Sequence, residues 1–196
     1  MSDLAERLRA HMADLVALPD AWDAGTAIMT AHLTPDGSVY LRDIGIPGEI
    51  WNTLGDDPVR MVEILPLALT QHSDIVKSKT DTGFFAWVMR HEAWLLERKG
   101  DNFNEAFKGD ERSIRNRRLG EHPDRQEALV YYAACIDRSL VMALTKKSGD
   151  RELTADISRV NAFGIRNQPE MADTRMAEGL LASCEIMKKL VKVAQQ

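Results

Sequence analysis

The stretch Glu127–Ile136 narrows the folds open to this chain more than any other. Leu129, Tyr131, Ala133 and Cys135 alternate with Val130, Tyr132, Ala134 and Ile136, so a strand through these residues is apolar on both faces. Such a strand belongs in the interior of a sheet. Asp137-Arg138-Ser139 then turns the chain into Leu140–Lys146, which predicts an antiparallel hairpin of two central strands.

A second hairpin is written near the N-terminus. Thr26–Leu33 and Ser38–Ile44 are β-prone runs separated by Thr34-Pro35-Asp36-Gly37, a turn sequence with a glycine for the left-handed position. Single strands complete the sheet. Leu153, Ala155 and Ile157 alternate with Thr154, Asp156 and Ser158, giving a strand with one wet face. Phe84–Leu96 is balanced between two forms. Its aromatic and β-branched content fits a long buried strand, and the spacing Phe84-Val88-His91-Leu95 fits a helix. Three consecutive polar residues, Arg90-His91-Glu92, spoil the helical stripe and favour the strand.

Helices bracket these strands. Leu4, Leu8, Met12 and Leu15 form one stripe of an N-terminal helix, with Asp3 as cap and Glu6 at the capping-box position. Ile46–Trp51 breaks the strand before it and opens a short turn or helix. Asp57-Pro58 starts a middle helix carrying Val62, Leu65, Leu69 and Ile75, in which Pro66 must produce a kink or a split. Asn167-Gln168-Pro169-Glu170 starts a C-terminal helix to about Ala194, with Leu180, Cys184, Met187 and Val191 on its stripe. The expected fold is α+β, a mostly antiparallel sheet of two hairpins plus single strands, packed by N-terminal, middle and C-terminal helices. With 196 residues, 44% hydrophobic, residues 1–196 are expected to form one globular domain that needs neither disulfide nor metal to hold it.

Charge and address limit the partners. Twenty-five Lys+Arg against 30 Asp+Glu leave a net charge of −5, which argues mildly against a surface devoted to nucleic acid or anionic lipid. Cys135 and Cys184 sit in apolar periodic segments and are expected as buried free thiols in a reducing compartment. The N-terminus has no basic region followed by an apolar block, and no stretch approaches the ~20 apolar residues of a bilayer span. A cytoplasmic protein with no membrane partner is expected.

Serine-hydrolase GxSxG, dinucleotide-binding GxGxxG and P-loop GxxxxGK[ST] patterns are all absent from the sequence, and no histidine pair has metal-ligand spacing on one element. No cofactor and no metal are implied. The candidates for acid–base chemistry are His91, His122, Asp124 and Glu127, which would form a hydrolase or nucleic-acid-processing site if their segments met. A plainer reading pairs Arg90 with Glu92 on one face and leaves His91 hydrogen-bonded and half-buried. Likewise Arg125 can pair with Glu127 beside a Pro-Asp turn. Cys135, mid-strand among apolar residues, should have a raised pKa and be a poor nucleophile.

The polar stretch Glu97–Glu127 holds eight basic and eight acidic residues and carries the sharpest local charge feature, Arg112, Arg115, Arg117 and Arg118 within seven residues. Arginine forks suit carboxylate or phosphate. A solvated loop with internal ion pairs is the plainer reading of the same residues. Phe103 and Phe107, four apart, suit docking to a partner or anchoring the loop on the core. Trp22, Trp51, Trp87 and Trp94 are expected in the core or an interface. Trp87 and Trp94 fall on opposite faces of a strand, so one of them is open to a subunit contact in a homodimer.

Glu92-Ala93-Trp94, a variable polar loop, His122-Pro123-Asp124-Arg125-Gln126-Glu127 and the following Tyr-Ala-Ala strand resemble small uncharacterised proteins of actinobacteria and their phages. The resemblance spans Trp87 to Lys146 and departs at Asp137-Arg138-Ser139, which stands where an Asp-x-Asp-Gly type of turn would be. It implies no activity, only an accessory protein of a phage or mobile element. With a long charged loop beside an apolar sheet, the sequence is read as a non-catalytic binding protein acting on another protein. The enzyme and nucleic-acid binding through the arginine cluster are the alternatives.

Overall fold

The structure, a computed structural model, describes residues 3–18, 21–55, 57–74, 76, 83–95, 126–147, 154–159 and 174–191. In chain order these form α1 (Asp3–Val16), a 3-10 turn (Ala21–Ala24), β1 (Ala27–Leu33), β2 (Val39–Asp43), α2 (Gly48–Thr53) and α3 (Pro58–Gln71). They continue with β3 (Phe84–Leu95), β4 (Gln126–Cys135), β5 (Ser139–Lys146), β6 (Thr154–Arg159) and α4 (Thr174–Leu190). The fold is α+β. Six strands make one sheet in the order β2-β1-β3-β4-β5-β6, with every neighbouring pair antiparallel.

The two-faced alternation of β4 decides the layering. Leu129, Tyr131, Ala133 and Cys135 join a cluster with Leu4, Leu8, Met12 and Val16 of α1. Ala128, Val130, Tyr132 and Ala134 join another with Met61, Val62, Leu65 and Leu69 of α3 and Leu180, Cys184 and Met187 of α4. Helices therefore cover the sheet on both sides, as two apolar faces require.

Phe84–Leu95 is a strand. Its run of large apolar residues is split between the two clusters by a bulge. The β1–β3 register passes from Ala31↔Ala86 to His32↔Phe84, leaving Phe85 as the extra residue. Phe85 and Ala86 consequently both face α1, while Phe84 and Trp87 face α3 and α4.

Both hairpins form with the expected turns. At the first, Gly37 takes φ 85° and its N–H donates to the Thr34 carbonyl at 2.9 Å. At the second, Arg138 takes φ 69° and its N–H donates to the Cys135 carbonyl at 2.9 Å. Asp137 braces that turn, accepting from both Ser139 N–H and Ser139 Oγ at 3.0 Å.

Two helix expectations are revised. Asp3 is the first helical residue of α1 and accepts from Arg7 Nε at 2.8 Å, while Glu6 accepts from Arg9 Nε at 2.9 Å. Arginines one turn further on thus draw both carboxylates into ion pairs along the helix. In α3, Asp57 caps as expected, accepting from Val59 and Arg60 N–H, but Pro66 does not split the helix. Proline lacks the N–H that would bond the Val62 carbonyl one turn earlier. That oxygen lies against Gly179 of α4, where a Cβ would come within 2.6 Å of it. Ile75 and the expected start of α4 at 167–170 lie outside the described residues.

Candidate functional site

The sheet is ragged at one end, and its chemistry collects there. β1 pairs with β3 only as far as Ala27↔Arg90, whereas β4 continues beside β3 to Leu95↔Gln126. Residues 91–95 therefore project past β1. The 3-10 turn at Ala21–Ala24, between α1 and β1, packs on the α1 side of this end, with Ala21 in the α1 cluster and Trp22 against it.

Alternation along β3 places Arg90, Glu92 and Trp94 on the α1 side and His91 and Ala93 on the other. Trp94 stands directly opposite Glu127 of β4. Glu127 binds Lys147, just after β5, with its carboxylate 2.7 Å from Nζ, and its carbonyl accepts from the Lys147 N–H at 2.8 Å. Lys147 Nζ also lies 5.4 Å from the centre of a Trp22 ring, a cation–π arrangement. The bond to Glu127 holds the ammonium pKa above its ordinary value, and the nearby Glu92 charge adds to the effect.

Arg90 differs from its neighbours because it is only 8% exposed. Its Nη2 donates to the Ala24 carbonyl, while Nε is enclosed without an acceptor. Among the described residues no carboxylate pairs with it. The expected Arg90–Glu92 ion pair is replaced by the backbone bond, because the 3-10 turn brings a carbonyl over the guanidinium. Glu92 stays exposed.

His91 is partly buried, with Nδ1 3.1 Å from the Glu92 carbonyl oxygen. It sits on the α3 and α4 side of the sheet and Glu127 on the α1 side, so these two candidates face away from each other. His122, Asp124 and Arg125 lie outside the described residues, as do Arg112, Arg115, Arg117, Arg118, Phe103 and Phe107. Glu127 has Lys147 as its described partner. Among the described residues no three His, Cys, Asp or Glu side chains gather closely enough to hold a metal. No described helix is long and apolar enough to cross a membrane.

The tryptophans divide as two-sided strands require. Trp87 is buried in the core, Trp51 packs on the α3 and α4 cluster, and Trp94 is 40% exposed. The cysteines are free and buried. Burial pushes the Cys135 thiol well up and the Cys184 thiol up to about 12, so neither supplies a thiolate near neutrality.

The pairing of Arg90 with Ala24, and the assembly of Trp22, Glu127 and Lys147, were not anticipated from the sequence. The one local signal was the polar triplet Arg90-His91-Glu92 interrupting an apolar strand. Comparison of the chain with known family models, with curated proteins and with solved structures finds no match.

Proposed function

We propose that this chain is a non-catalytic accessory protein, of a phage or mobile element, that works by binding another protein. The binding end of the sheet is the one where Trp94 stands and where residues 96–125 join β3 to β4. The observation that carries this reading is the exposed indole of Trp94, one residue from the strand's end. A large aromatic group at the surface is a typical anchor for a partner, and the connection beginning beside it carries Arg112, Arg115, Arg117 and Arg118, which suit acidic groups. The division of His91 and Glu127 between opposite faces disfavours one acid–base cleft built from both.

The test is a binding series. Partners captured on the immobilised chain are identified, purified and titrated against the wild type, Trp94→Ala and the triple variant Arg115→Ala, Arg117→Ala, Arg118→Ala. Each variant should weaken binding by about tenfold or more. Equal affinity for all three chains would refute the assignment of this surface. A salt-dependent shift of a DNA duplex, lost in the triple variant, would favour nucleic acid instead. Concentration-dependent self-association abolished by Trp94→Ala would make the partner a second copy of the chain.

A further inference from the structure

We propose that Arg90 is the anchor of a carboxylate-binding site on the α1 side of the sheet end. The inference shares this end with the partner-binding reading but does not depend on it. A guanidinium nine-tenths buried normally has a carboxylate beside it, because burying a charge without a counter-charge is costly. Arg90 is 8% exposed, its single described bond is to a neutral backbone carbonyl, and its Nε is enclosed without an acceptor. The other cation of the cluster is already neutralised, since Lys147 lies 2.7 Å from Glu127. Among the described residues the site therefore has one positive charge without a carboxylate partner and one donor, Nε, left over, the pattern of a group built to receive an anion.

The surroundings select which anion. Glu92 lies on the same face two residues along, about 7 Å away by strand geometry. Glu127, opposite Trp94 on the neighbouring strand, is about 14 Å away by the same geometry and is already paired with Lys147. A phosphate, carrying between one and two negative charges near neutrality, would bring more charge than Arg90 can balance beside the Glu92 carboxylate. A carboxylate brings a single charge that Arg90 alone can balance. Trp22 stands two residues before Ala24 in the turn that touches Arg90 and packs on the α1 cluster, so an acid attached to an apolar body fits best. That acid is either a free monocarboxylate or a glutamate or aspartate side chain in a peptide.

The experiment titrates the whole chain at constant ionic strength with propionate, with an acetylated and amidated Leu-Glu-Leu peptide, and with inorganic phosphate. Tryptophan fluorescence and the thermal midpoint are followed. Saturable binding of propionate or of the peptide is expected, with the midpoint rising as binding saturates. Saturation by propionate identifies a free acid as sufficient, and saturation by the peptide alone identifies a partner segment. Arg90→Met should abolish the effect and Arg90→Lys should weaken it by at least tenfold, because a lysine keeps the charge without the fork. Glu92→Gln should tighten carboxylate binding by roughly threefold by removing a like charge. Absence of saturable binding to the wild type by either carboxylate overturns the proposal even if Arg90→Met does not fold. Phosphate binding as tightly as the carboxylates, or Glu92→Gln weakening them, overturns it too. Loss of the Trp94-dependent partner with carboxylate binding intact would count against the partner-binding reading alone.

Discussion

A close approach between the two helices on one side of the sheet turns on a single hydrogen atom. At Gly179 of α4 a Cβ would lie 2.6 Å from the Val62 carbonyl oxygen, 2.8 Å from Val62 Cγ1 and 3.0 Å from the Val62 carbonyl carbon. Two of these three atoms are backbone, so no side-chain rotation clears the space, and α3 must move away from α4. Overpacking of this kind costs up to about 3 kcal/mol. Alanine returns about 1 kcal/mol of helix propensity over glycine. Gly179→Ala should therefore lose about 2 kcal/mol, a fall in Tm of roughly 4–8 °C for a chain of this size. Ala182→Gly, an exposed position on the same helix, is the control and should lose about 1 kcal/mol from propensity alone. Denaturant unfolding at equilibrium, with calorimetry for Tm, measures both. If Gly179→Ala matches or exceeds wild-type stability while Ala182→Gly loses its expected amount, the helices are not in contact through the Val62 carbonyl.

Pro66 belongs to the same contact. Pro66→Ala restores the N–H that α3 lacks and should raise stability by about 1–2 kcal/mol after the unfolded chain regains its entropy, so an unchanged or lower denaturation midpoint would contradict the argument. Arg138 holds φ 69°, so Arg138→Gly should gain about 0.5–1 kcal/mol, the relief of a left-handed side chain less glycine's entropy. A loss on denaturation would show that the arginine side chain supports the turn. The thiols set an alkaline limit. Burial raises the folded Cys184 pKa to about 12 against 9.0 unfolded, so this contribution is intact below pH 9 and is lost as pH rises from there towards 12. Cys184→Ala should cost stability at neutral pH, because it removes the Sγ bond to the Ala134 carbonyl, but flatten the decline above pH 9. A decline as steep as wild type would assign the alkaline transition to other groups.

What the sequence made legible follows the reach of each signal. Alternation is local, and the two faces of β4 could be read residue by residue, down to which side Cys135 would take. Turn chemistry is local too, and both hairpins appear where Gly37 and Asp137 place them. The strand over Phe84–Leu95 was legible because three polar residues break a helical stripe but not a strand, whose polar end can leave the core. Pairing between distant segments leaves no comparable mark. Nothing near Ala27–Leu33 announces that this strand lies against β3, and the bulge at Phe85 exists only because of that pairing. The same limit governs the site. Arg90 and Glu92 look like an ion pair when only β3 is considered. Ala24, 66 residues earlier in the chain, reaches the guanidinium because the 3-10 turn leads into β1, and β1 lies beside β3. Whether a charged residue is satisfied is thus a tertiary property, and Arg90 becomes a candidate anchor only once the sheet order is known. Trp94 is the converse. Its exposure follows from standing beyond Ala27, the first residue of β1, a length mismatch between two strands that neither strand's own pattern contains.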